Sequence, residues 1–199
     1  MGTNTSGDSE GFAAIKKIIE AISTNHDRLK IKSVSLREKA IICVECSECD
    51  YSRLVGAKGG NITALELIFR LMEYAENSKD GVIKVETPPS RKRAEYVPFQ
   101  FNPAWGEKQL KSIMLPVCRL ALGSGSVEVG PLTRDALLLK ITARCFTGET
   151  YRSSEGEDDP VSFAQVKAAF LKVVKAVTKA NGRDVELDMA ILTLPDTSR

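Results

Sequence analysis

The chain has 199 residues with 43% apolar content, which is enough for one sizeable core or two small ones. Its net charge is only +2, with both signs spread through both halves, which excludes the bulk basic field of a strong duplex-DNA binder. No run approaches bilayer length and residues 1–10 lack the basic and apolar regions of a signal peptide, so the expectation is a cytoplasmic protein without a membrane partner.

Residues 1–10 read as a disordered polar lead-in. Phe12, Ile15, Ile19 and Ile22 then recur at helical spacing until Asn25-His26-Asp27 breaks the pattern. Leu29 to Leu36 and Lys39 to Cys46 are strand candidates separated by a polar turn at Arg37-Glu38. Asp50 to Val55 is expected to form a short helix leading into Gly56-Ala57-Lys58-Gly59-Gly60. Two glycines three apart let a backbone approach a ligand, and a helix starting there aims N–H groups at the loop, which favours phosphate. Ile62, Leu65, Ile68, Phe69 and Met72 mark that following helix, which continues to about Glu76. Asn77 to Gly81 reads as a turn and Val82 to Thr87 as a closing strand.

Pro88-Pro89-Ser90-Arg91-Lys92-Arg93 begins a stiff, basic linker over 89–103, in which Tyr96, Phe99 and Phe101 are expected to pack between domains. Leu110, Ile113, Met114 and Val117 give a helix within Trp105 to Leu122, which Pro116 should kink or shorten. Val127 to Leu132 and Ala136 to Phe146 read as strands. Phe163, Val166, Phe170, Val173 and Val177 give a long helix, with Asp159 as its cap, Pro160 in its first turn and Asn181-Gly182 at its end. Val185, Leu187, Met189 and Ile191 alternate as a final strand before a tail at 196–199. Helix, strand, strand, helix, strand thus recurs, but Thr147 to Pro160 replaces the glycine loop with Glu149, Glu155, Glu157, Asp158 and Asp159, carboxylates that would repel phosphate.

Cys43, Cys46 and Cys49 form a C-x-x-C-x-x-C run, with Cys118 and Cys145 further on, a spacing that thiolate-bound iron–sulfur clusters or zinc use. A strand through Ile41 to Cys46 sets Cys43 and Cys46 on opposite faces, so buried, reduced cysteine is the stronger reading and neither metal nor cofactor is expected. His26, the sole histidine, sits in a polar turn, so no catalytic residue is assigned.

Leu54 to Ile62 is similar to the V-I-G-x-x-G-x-x-I signature of KH domains. With a helix and strands before it and one strand after it, the order resembles the bacterial type II form. Asp50 to Gly59 followed by Ala64-Leu65 resembles the small KhpA-like RNA-binding proteins and the KH module of Jag. The resemblance covers residues 11–88 and implies an α+β fold of two KH-like type II domains in tandem. Each would be a three-stranded sheet packed on helices, the second (104–195) lacking the GxxG loop. The implied function is non-catalytic binding of single-stranded RNA, post-transcriptional or ribosome-related. The site would comprise Arg53, Leu54, Val55, Gly56, Ala57, Lys58, Gly59, Gly60, Asn61, Ile62 and Arg70, with linker contacts from Arg91, Lys92 and Arg93. Another KH protein, the ribosome or a second copy of the chain are further partner candidates. Ala57, Gly60 and Glu66 stand where relatives often carry basic residues, which weakens phosphate attraction. The alternative is a protein-interaction or assembly module on a KH scaffold with little RNA affinity. On the RNA reading, a fragment of residues 1–97 is expected to keep most of the affinity, and residues 98–199 little.

Overall fold

Ser9 precedes the first apolar stripe, and its hydroxyl accepts from Phe12 N–H at 3.0 Å, so the helix α1 starts at Glu10 and runs to Ile22. The computed structural model describes residues 9–77, 80–87, 105–129, 136–143, 161–183 and 186–193. The linker with Arg91, Lys92 and Arg93, the aromatics Tyr96, Phe99 and Phe101, Cys145, the segment 147–160 and the tail lie outside the described residues. A single 3-10 turn, His26–Arg28, follows α1, and then come β1 (Lys30–Ser35) and β2 (Lys39–Glu45), paired antiparallel. Along β2, Ala40, Ile42 and Val44 are buried while Ile41, Cys43 and Glu45 are half-buried, the two-residue period of a sheet covered more fully on one face.

The short helix α2 spans Glu48–Val55, beginning two residues before the expected Asp50 because Ser47 caps it, its hydroxyl accepting from Asp50 N–H at 3.2 Å. Helix α3 (Gly60–Asn77) leads to β3 (Asp80–Glu86), which lies parallel to β2 and completes a mixed sheet in the order β1-β2-β3.

The second half gives α4 (Glu107–Leu122), β4 (Ser124–Val129), β5 (Ala136–Ala143), α5 (Phe163–Ala180) and β6 (Glu186–Thr193). Its sheet is ordered β4-β5-β6, again with one antiparallel and one parallel pairing. Two sequence expectations are corrected here. Of the kink or shortening expected at Pro116, the shortening does not occur, and α4 runs on to Leu122. The carbonyl that the proline nitrogen leaves without its helical donor belongs to Ser112, an exposed position where water can serve it. And α5 is capped by Ser162 rather than Asp159: the Ser162 hydroxyl accepts from Gln165 N–H at 3.3 Å while Gln165 Oε1 accepts from Ser162 N–H at 2.6 Å.

The chain is therefore an α+β protein with five α-helices and two three-stranded mixed sheets among the described residues. Its buried apolar residues form one continuous cluster that includes Ile15, Ile18, Leu65, Phe69 and Ile42 of the first half and Met114, Val117, Phe170 and Val173 of the second. The sequence explains this continuity. On α1 the buried set Phe12, Ala14, Ile15, Ile18, Ile19 and Ile22 covers an arc wider than one sheet-facing stripe, and on α3 Ala64, Leu65, Ile68, Phe69, Leu71 and Met72 do the same. The extra width is covered by α4 and α5, both of which pack against α1 and α3. Asn181, just past α5, donates from Nδ2 to the Ala21 carbonyl at 3.1 Å, which ties the halves by a polar contact as well.

Candidate functional site

Between α2 and α3 the backbone turns through three residues of positive φ: Gly56 at 72°, Lys58 at 52° and Gly59 at 76°. Gly56 is required twice over, because a β-carbon there would also fall 2.6 Å from Cγ of Asn61. That asparagine is fixed from the other side, donating from Nδ2 to the Arg53 carbonyl at 2.8 Å and so holding the last turn of α2. Gly59 faces open space, and its carbonyl accepts from Thr63 Oγ1 at 3.0 Å. Lys58 is exposed and held in a left-handed conformation, which costs a non-glycine residue about 1 kcal/mol. Ala57 to Gly59 form one 3-10 turn that hands the chain directly to α3.

The orientation of α2, and with it the loop, rests on Asp50. This carboxylate is fully buried and accepts from Thr24 N–H (2.9 Å), Thr24 Oγ1 (3.1 Å), Asn25 N–H (3.1 Å) and Ser47 Oγ (3.0 Å). It also pairs with Arg53 Nη1 at 3.2 Å, and the same guanidinium reaches Thr24 Oγ1. Burial alone would raise the Asp50 pKa, but the hydrogen bonds from Thr24, Ser47 and Asn25 outweigh it and the net direction is downward. Sequence reading did not assign Asp50 this role, although Asp50 and Arg53 stand at the i, i+3 spacing of a helical ion pair.

The expected site residues divide accordingly. Gly56, Ala57, Lys58, Gly59, Gly60 and Asn61 are gathered in and beside the loop, with Ala57 and Lys58 exposed. Leu54 is 1% exposed and belongs to the core, while Val55 and Ile62 are half-buried. Arg53 is committed to Asp50, and Arg70 pairs through Nε with Asp80 at 2.8 Å, away from the loop. Glu66 accepts from Ile83 N–H at 3.2 Å and so caps the edge strand β3.

The residue that sequence reading missed is Lys172 of α5, whose Nζ lies 3.0 Å from where a β-carbon on Gly60 would stand. Further along α5 a cavity of about 440 Å³ opens toward α2, with Ile22, Ala176 and Ala180 at its apolar surface and Glu48, Ser52, Asn61 and Lys179 among its polar residues. No short sequence signal marks this juxtaposition, because Gly60 and Lys172 meet only through the packing of α3 on α5.

The cysteines follow the alternation of the strand. Cys46 is buried and its thiol is pushed up to about 11, chiefly by burial with Asp50 adding to it; burial raises Cys118 as well. Cys43 and Cys49 are half-buried. Among the described residues, no group of three His, Cys, Asp or Glu side chains is placed to hold a metal. Iodoacetamide applied to the folded protein at pH 8 is expected to alkylate Cys43 and Cys49 and to spare Cys46 and Cys118, as read by peptide mass spectrometry. Rapid labelling of Cys46 would overturn its assignment to the core.

No protein-family model and no curated protein matches this chain. Among the described residues, no helix is long and apolar enough to cross a membrane.

Proposed function

We propose that the protein holds single-stranded RNA on the Gly56–Gly59 loop and catalyses no reaction on it. The observation that carries this reading is the loop itself: three left-handed residues, an exposed lysine and an open glycine backbone set at the start of an 18-residue helix. The RNA backbone lies against Gly56 to Gly59, with Lys58 supplying charge and about four nucleotides accommodated. On the same reading the two halves are tandem KH-like units of type II. The repeated element order and the equivalent strand pairings of the two sheets support that view. The second unit carries its acidic segment in place of the glycine loop, and the setting is cytoplasmic, with a post-transcriptional or ribosome-related RNA as target.

The commitment of Arg53 and Arg70 to carboxylates within the chain favours a second reading, an assembly module with little RNA affinity. Replacing Ala57 and Lys58 together by Asp separates the two. Both side chains are exposed, and aspartate tolerates the left-handed backbone at 58, so circular dichroism should be unchanged. Affinity for a labelled single-stranded RNA should fall more than about tenfold, since two carboxylates replace a cation beside phosphate. Unchanged affinity in a folded variant would move the function to the assembly reading. Sequencing of RNA cross-linked to the protein in cells would then name the target.

A further inference from the structure

We propose that the second half of the chain builds one wall of the RNA site: Lys172 and Lys179 of α5 contact the phosphates, and the cavity between α2 and α5 receives a base. This inference rests on the RNA-binding reading and extends it to residues outside the motif that suggested it. Three observations converge on it.

The first is position. Lys172 Nζ sits over Gly60, at the exit of the loop, where any side chain on residue 60 would meet it at 3.0 Å. The second is spacing. Lys179 follows Lys172 by seven residues, two turns of helix or about 10 Å, so both lie on one face with Ala176 between them. Ala176 and Lys179 both line the cavity, which places an apolar surface between two cationic positions. The third is size and chemistry. A cavity of about 440 Å³ falls in the ordinary range for small-molecule sites. Ile22, Ala176 and Ala180 offer apolar contact to a base face and Ser52 and Asn61 put polar groups at its edges, while the Glu48 carboxylate in the same lining can accept only from base N–H groups and keeps phosphate out of the cavity itself. A flat, π-faced ring with polar edges attached to an anionic backbone suits that combination, and RNA presents it repeatedly. The cavity adjoins Gly56, so a strand lying on the loop passes its mouth.

The test uses the full chain and a fluorescein-labelled ten-nucleotide single-stranded RNA of random sequence, read by anisotropy across a salt series. Lys172→Ala with Lys179→Ala should weaken binding about tenfold at low salt. It should also flatten the log-log salt slope by about 1.4, two phosphate contacts on a single strand. Lys108→Ala with Lys111→Ala, on exposed positions of α4, should alter neither quantity. Ala176→Phe, which fills the cavity, should weaken binding without changing the slope. Bound RNA should also slow alkylation of Cys49, which lines the cavity, and leave Cys43 on β2 unaffected. The inference fails, and the loop reading stands, if Ala57→Asp with Lys58→Asp abolishes binding while the α5 variants bind as the parent does and Cys49 stays unprotected. If the parent protein does not bind the RNA, both fail.

Discussion

Asp50→Ala is expected to cost about 3–5 kcal/mol of folding stability, the range for removing one partner of a buried ion pair. The substitution leaves Arg53 without its carboxylate, and it strips acceptors from Thr24 N–H, Asn25 N–H and the hydroxyls of Thr24 and Ser47. Asp50→Asn keeps the shape and one acceptor oxygen but loses the charge and turns the other oxygen into a donor facing donors; with the remaining acceptor kept, it should still cost less than Ala, about 1.5–3 kcal/mol. Urea denaturation monitored by circular dichroism measures both. The pH dependence has a definite sign. Folding lowers the Asp50 pKa below its ordinary 3.8, so the folded protein binds this proton less readily than the unfolded chain. Its contribution is therefore complete above that value and is lost as pH falls through the folded pKa. Between pH 5 and pH 2 the parent should lose stability more steeply than Asp50→Asn does. Equal acid slopes in the two proteins would mean that Asp50 is not the ionised hub of this corner.

The loop was legible in the sequence because its constraint is local: a glycine at 72° that also has to clear Asn61 cannot be replaced without cost, so the bracket Gly56 to Gly59 is written in residue types. The helices were legible from period and the strands from alternation, whereas the sheet order and the parallel pairing of β2 with β3 and of β5 with β6 were not read from the sequence. Leu54 is buried because it stands four residues after Asp50 on the same inward face of the helix, a placement that the motif alone, which sets it beside the loop, does not reveal. The cap of α5 carried a readable sign in Ser162-x-x-Gln165, and Asp159-Pro160 drew the assignment three residues early. Lys172 and Lys179 belong to a different category. Nothing in a one-dimensional pattern tells which face of α5 meets Gly60, since that depends on how two helices more than 80 residues apart in the chain pack together, roughly 8–10 Å between axes.

The same packing argues against the expectation that residues 1–97 keep most of the RNA affinity alone, and it leads to a different expected result. A fragment ending at 97 retains α1 and α3 but removes α4 and α5, which cover the second side of both helices. Met114, Val117, Phe170, Val173, Val174 and Val177 are fully buried in the shared cluster, and removing them uncovers the apolar area that they cover on α1 and α3. At about 1.5–3 kcal/mol for each large side chain whose burial is forfeited, the deficit is on the order of 10 kcal/mol. A domain's whole net stability is about 5–15 kcal/mol, so the fragment has little left with which to hold its fold. Residues 1–97 should consequently show no cooperative thermal transition and poor dispersion of amide resonances. Its RNA affinity should collapse for that reason, not because the loop lacks the residues to bind. Co-expression with residues 98–199 should restore both the transition and the binding, since the interface is apolar helix packing plus the Asn181 to Ala21 hydrogen bond and needs no covalent link. A fragment of 1–97 that melts cooperatively near the temperature of the full chain would show that the first half owns its core. It would also return the division of labour to the one the sequence suggested.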